Sequence, residues 1–265
     1  MSPDFPLIYC NGDSYSNPLF HPALDKKTFA EYVGNALNGF VLNQSINGSC
    51  NRRIVRTSLY DMIEQRRVNP NQKIILLLNL TFEIRSDLWV DDIKVEREQE
   101  SHFVGHQFAE IDTWKEKLLK GKPIYGRATG AKRESDMLSS RFLPKLNHGK
   151  AFFYSPYAER INLYADLIMF TAFCDQHNIN YLIFQSPRAE KLQEEHLLDT
   201  FKSKVNNNAK VFDLENFGFL DWAYNQKYKP LDKLDLPQIG HYNKDAHKAF
   251  AEQVLIPKLE ETKQI

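Results

Sequence analysis

At 265 residues the chain is long enough for one large domain with a full core or for two modest ones, and 42% hydrophobic with 26% charged residues excludes disorder throughout. A formal net charge of zero excludes a general nucleic-acid binder held by phosphate neutralisation, and no apolar run reaches membrane-spanning length. Cys10, Cys50 and Cys174 are scattered without metal-ligand spacing and read as reduced thiols; the opening Met-Ser-Pro-Asp-Phe-Pro has no signal-peptide pattern, so a cytoplasmic protein is expected.

A short apolar run, Leu7 to Cys10, breaks at Asn11-Gly12-Asp13-Ser14, which predicts a buried strand entering a tight turn. Phe29, Tyr32, Val33, Ala36 and Leu37 then give one apolar face to a helix over 25–38, stopped at Gly39. A second strand over 40–43 opens into the small, polar loop 44–51. A helix over 52–67 follows, with Ile54, Val55, Leu59, Met62 and Ile63 on one side and a solvated face over 61–67. Lys73 to Asn79 is apolar almost throughout, as a parallel strand covered on both faces must be. Strand, helix, strand, helix, strand predicts a doubly wound α/β sheet.

The pattern breaks at about 84–154. Residues 83–112 carry nine acidic against three basic side chains, and residues 113–150 carry ten basic against three acidic. This asymmetry, with Gly121, Gly126 and Gly130 in the basic half, marks an insertion with a glycine-containing loop near 120–136. His102 and His106 have no third ligand in view and read as surface residues. A helix over 158–177, a buried strand over 181–185, a charged helix over 190–204, a last short strand over 210–213, a loop over 217–240 and a closing helix over 243–259 complete one domain spanning 1–265.

Three of these segments carry chemistry. Gly12-Asp13-Ser14 sits at the carboxyl end of the first strand, where open α/β sheets place their ligands. Asn43-Gln44-Ser45-Ile46-Asn47-Gly48-Ser49 follows the second strand, and Gly240-His241-Tyr242-Asn243 precedes the last helix. In this order they resemble the first, second and last blocks of the SGNH, or GDSL, hydrolases. The resemblance implies a three-layer α/β/α flavodoxin-like fold with a parallel sheet and a long insertion after the third strand. It makes Ser14 the nucleophile, His241 the general base, and the Gly48 N–H, with that of Ser14, the oxyanion donors. No metal or organic cofactor is implied.

Two positions depart from the family pattern. Its third block, Gly-x-Asn-Asp, is replaced by Asn79-Leu80-Thr81, so the further oxyanion donor is Asn79 or, second, Thr81. The aspartate expected two or three residues before the histidine is replaced by Gln238 and Ile239, which leaves Asp235, or Asp232, to orient the imidazole, or a Ser–His dyad. The implied activity is hydrolysis of a small acyl ester, a carbohydrate O-acetyl ester among the candidates. An acyltransferase and a catalytically weakened binding module are the alternatives. The expected partner is a small-molecule or glycan-linked ester, with no nucleic acid and no membrane, and a homo-oligomer remains open.

Overall fold

The computed structural model describes residues 5–81, 86–87, 125–126, 156–189, 192, 196–231 and 240–265. The chain divides into two compact units, residues 1–82 with 161–265, and residues 83–160. In the second unit Ser86–Asp87 pairs antiparallel with Tyr125–Gly126. Apart from those two segments, the expected insertion at 84–154, its glycine-containing loop and His102 and His106 lie outside the described residues.

The first unit is built on four parallel strands: β1 (Leu7–Asn11), β2 (Phe40–Asn43), β3 (Ile74–Leu80) and β4 (Asn180–Gln185). Their order across the sheet is β2-β1-β3-β4, with Leu7 in register with both Phe40 and Ile74, and Ile75 with Asn180. β1 and β3 are central and wholly buried, which is why their sequences are apolar without alternation. β2 is an edge strand and is partly exposed. The strand expected at 210–213 shrinks to one parallel bridge, Ile183 with Val211. Asp213 stops it, because its side chain accepts the N–H groups of Glu215 and Asn216 and turns the chain away.

Helices cover both faces, as a sheet with two apolar sides requires. Alternate strand residues Ile8, Cys10, Ile75, Leu77, Leu182 and Phe184 pack against α1 (Phe29–Ala36) and the C-terminal helices. On the opposite face Tyr9 donates to Asp61 of α2 (Asn51–Val68) at 2.6 Å, and Tyr181 donates to Asp175 of α3 (Pro156–Gln176) at 3.2 Å. Asp61 therefore does not belong to the solvated face expected over 61–67. Its carboxylate receives a core tyrosine, whose ionisation is pushed well up by burial and by that carboxylate.

Several boundaries differ from the periodicity. α1 begins at Phe29 rather than 25, because Asp25 and Lys26 take left-handed backbone angles and Thr28 with Glu31 forms a capping box. α4 (His196–Asn206) replaces the helix expected over 190–204, whose first residues lie largely outside those described. The loop expected over 217–240 contains a helix, α5 (Phe219–Asn225), which buries Phe219, Leu220 and Ala223. The closing helix runs as α6 (Lys244–Phe250), a π-helical turn (Ala251–Leu255) and α7 (Ile256–Glu261). Pro257 cannot donate to the preceding turn, and the wider π turn accommodates the missing donor. Among the described residues no helix is long and apolar enough to cross a membrane.

Candidate active site

β1 ends in a β-turn from Asp13 to Ser16, closed by the Ser16 N–H on the Asp13 carbonyl at 3.1 Å. Ser14 takes its second position, and the Asp13 carboxylate accepts the Tyr15 N–H, which holds the turn tight. Gly12 makes this path available. A Cβ there would strike Ser16 Oγ and come within 3.0 Å of the Asn79 carbonyl oxygen. Gly12→Ala is therefore expected to lower stability by about 1–3 kcal/mol in urea denaturation; an unchanged midpoint would mean that β1 and β3 can part without cost.

The turn is braced by buried and half-buried side chains from β2, α1, α2 and the end of β3. Asn43 Nδ2 donates to the Ser16 carbonyl at 2.9 Å and to Glu31 at 3.1 Å, and Glu31 in turn accepts from the Thr28 N–H and hydroxyl. Asn11 reaches Thr57 and Ser58 of α2, while its own side-chain oxygen accepts the Gly12 N–H. Thr81 gives its hydroxyl to Asp13 Oδ2 at 2.6 Å, and Asn51 clamps the Thr81 backbone at both N–H and C=O.

Asn79, the expected further oxyanion donor, lies near the end of β3. Its side chain is fully buried, and its amide nitrogen donates to Ser16 and to Ser186 Oγ at 2.7 Å. An amide carries two donor hydrogens, and both already have acceptors inside the protein. Asn79 in this geometry ties the Ser14 turn to the end of β4, and Thr81 ties it to the end of β3.

Gly48 stands in a second turn. The Ser49 N–H donates to the Ile46 carbonyl at 3.1 Å, which places Gly48 at the third position with φ of 79°. That is the position where a type II turn calls for glycine. The loop is fastened alongside the Ser14 turn by Gln44 N–H to the Cys10 carbonyl and Ile46 N–H to the Gly12 carbonyl. Asn17 and Asn47 bridge the two loops through their side chains at 2.9 Å.

His241 comes from the loop before α6, 227 residues away in sequence, and its Nε2 lies 2.9 Å from Ser14 Oγ. With Nδ1 protonated, Nε2 can accept the hydroxyl proton. Rings of two residues from the Ser14 loop stack on the imidazole: Tyr15 at 4.6 Å and 23°, Phe20 at 3.7 Å and 22°. Sequence reasoning gives neither a role: Tyr15 directly follows Gly12-Asp13-Ser14, and Phe20 stands in no motif. Asp235 and Asp232 lie outside the described residues. The residues flanking them are placed: the Leu231 N–H donates to the His241 carbonyl at 2.5 Å, and Pro230 bridges Tyr242.

A second histidine lies beneath. His247 on α6 is 2% exposed, packs against Phe29 and Phe219, and leaves its Nδ1 without a hydrogen-bond partner. Burial, and then the charge of nearby His241, hold its pKa down at about 3. It stays neutral through the physiological range. Among the described residues no cluster of histidine, cysteine, aspartate and glutamate could hold a metal ion.

No protein-family model matches the sequence, and no curated protein matches it. Solved structures that resemble it run over nearly its whole length at low identity. The psychrotrophic esterase EstA from Pseudoalteromonas sp. is 12% identical, with 98% of this chain and 99% of that chain covered and a TM-score of 0.44. A lipolytic-type protein of the G-D-S-L family from Desulfitobacterium hafniense DCB-2 is 10% identical, with 93% and 95% covered and a TM-score of 0.40. A GDSL-like lipase structure from Parabacteroides merdae ATCC 43184 is 11% identical, with 98% and 96% covered and a TM-score of 0.38.

Proposed function

We propose that the protein is a serine ester hydrolase in which Ser14 is the nucleophile and His241 the general base. The observation that carries this is the 2.9 Å separation of Ser14 Oγ and His241 Nε2 at the carboxyl end of β1, within reach for direct proton transfer. Ser14 Oγ attacks the ester carbonyl carbon as its proton passes to Nε2. The carbonyl oxygen takes the negative charge, and the N–H groups of Ser14 and Gly48 are the donors assigned to it. Collapse breaks the bond to the alcohol, which leaves with the proton from Nε2. Water, deprotonated by the same nitrogen, then releases the acid from the acyl-enzyme and restores Ser14.

Asp235 is assigned to orient the imidazole through Nδ1, with Asp232 as the second candidate. The hydrogen bond from the Leu231 N–H to the His241 carbonyl supports this, since Leu231 directly precedes Asp232 in sequence. Asn79 is assigned to the turn, not to the oxyanion, because both of its amide hydrogens are engaged. Ser14 is only 6% exposed, with the Tyr15, Phe20 and His241 rings gathered beside it; crowding of this kind favours a small acyl group. We assign the protein to one domain with an insertion at 84–154.

Labelling with a fluorophosphonate serine probe tests this. Wild type and Asp235→Asn and Asp232→Asn variants are compared with Ser14→Ala. The expected result is labelling of wild type that vanishes in Ser14→Ala and slows by orders of magnitude in one of the two aspartate variants. Folded wild type that takes no label would sink the hydrolase reading. Unchanged labelling in both aspartate variants would reduce the triad to a Ser–His dyad.

A further inference from the structure

We propose that Phe20 and Tyr15 form an aromatic clamp that positions the His241 imidazole and favours its cationic form during proton transfer; this rests on the hydrolase reading above. An imidazole on a loop can swing about its side-chain torsions, and only one orientation puts Nε2 on Ser14 Oγ. Hydrogen bonds act on the ring edge. Stacked rings act on the faces, so they fix the ring plane and leave both nitrogens free for proton traffic. The two inter-ring angles, 22° and 23°, are those of stacked faces.

The clamp is built into the Ser14 loop. Tyr15 follows the nucleophile directly and is 5% exposed. Phe20 is presented by a turn from Asn17, whose carbonyl accepts the Phe20 N–H at 3.1 Å and whose side chain accepts the Leu19 N–H at 2.9 Å. The Asn17 amide also reaches across to Asn47, beside Gly48, at 2.9 Å. One segment therefore holds the nucleophile, both rings and a brace to the loop bearing the assigned oxyanion donor. Phe20 is half-buried and lies outside the buried core cluster. When the Ser14 proton moves to Nε2, the imidazole becomes a cation lying on aromatic faces, an attractive arrangement. When the proton leaves with the alcohol, that attraction ends. The clamp thus acts on the charged intermediate more than on the resting enzyme.

The test compares Phe20→Leu, which keeps apolar bulk without a π face, with Phe20→Trp, which keeps the face. Hydrolysis of p-nitrophenyl acetate is measured alongside thermal unfolding and the NMR shifts of the His241 ring protons. The expected result is a roughly tenfold lower kcat in Phe20→Leu, with KM and unfolding midpoint close to wild type and a downfield move of the His241 signals as the ring current is lost. Phe20→Trp is expected to restore kcat to within about threefold. A Phe20→Leu variant with wild-type kcat, or one in which only KM changes, overturns the clamp. Equal loss in the leucine and tryptophan variants also overturns it, since that pattern means shape alone matters. A wild type inert to both ester and fluorophosphonate would defeat the hydrolase reading itself, whereas one that labels but matches Phe20→Leu defeats only the clamp.

Discussion

Ser14→Ala and His241→Ala are each expected to lose about four to six orders of magnitude in ester turnover, and the double variant to lose no more than the worse single. The reason is that the hydroxyl and the imidazole act as one unit. Ser14 Oγ has no activated form without the base 2.9 Å away, and the base has nothing to deprotonate without the hydroxyl. If instead the two losses multiply, the residues work independently and the proton does not pass between them. The background rate that survives in the double variant measures what the N–H groups of Ser14 and Gly48 contribute on their own. Turnover of p-nitrophenyl acetate under single-variant and double-variant conditions decides between these outcomes.

Acid is expected to unfold the protein early, and His247 is the largest identifiable cause among the described residues. In the unfolded chain this histidine gains a proton as pH falls through about 6.5. In the folded protein burial holds its pKa at about 3, with His241 adding to the effect. Between those values the unfolded state binds the proton and the native state does not, so stability falls as pH falls. The full contribution is present above about pH 6.5, and the loss is about 1.4 kcal/mol per pH unit below it, or about 3 kcal/mol by pH 4. Urea denaturation of wild type and His247→Leu at pH 7 and pH 4 checks this. The difference between the two proteins should move by about 3 kcal/mol in favour of the leucine variant on acidification. A constant difference would show that His247 takes up its proton in the folded state.

The core strands were legible because burial on both faces leaves a continuous apolar run, as in β1 and β3. Helix ends were less so. Periodicity reports which side chains face inward, whereas the start of α1 is set by the left-handed Asp25 and Lys26 and by the Thr28–Glu31 capping box. That box was present as Thr-x-x-Glu and could have been read. α5 was hidden because seven residues are too few for a periodic signal, and its inward face is defined by the core it meets.

In the candidate site the same division holds at the level of single atoms. Gly12 and Gly48 could be read from sequence alone, since a backbone approach without a Cβ and a left-handed turn position are demands on one residue and its neighbours. Ser14 and His241 could be singled out by type and by their places beside strand and helix ends. The fate of Asn79 could not. Its partner Ser186 is 107 residues away, and the amide faces that hydroxyl only because β3 and β4 pair in the register that sets Asn79 opposite Phe184. Likewise, nothing in the sequence around Phe20 says that it stacks on His241, or around His247 that it is sealed beneath Phe29 and Phe219. The sequence by itself determined where the chain is apolar, where it turns and which turns carry reactive side chains, because these follow from each residue's own sterics and hydration. Only the tertiary structure decided which polar groups find each other and which are left without water, because those outcomes depend on the register and packing of segments far apart in the chain.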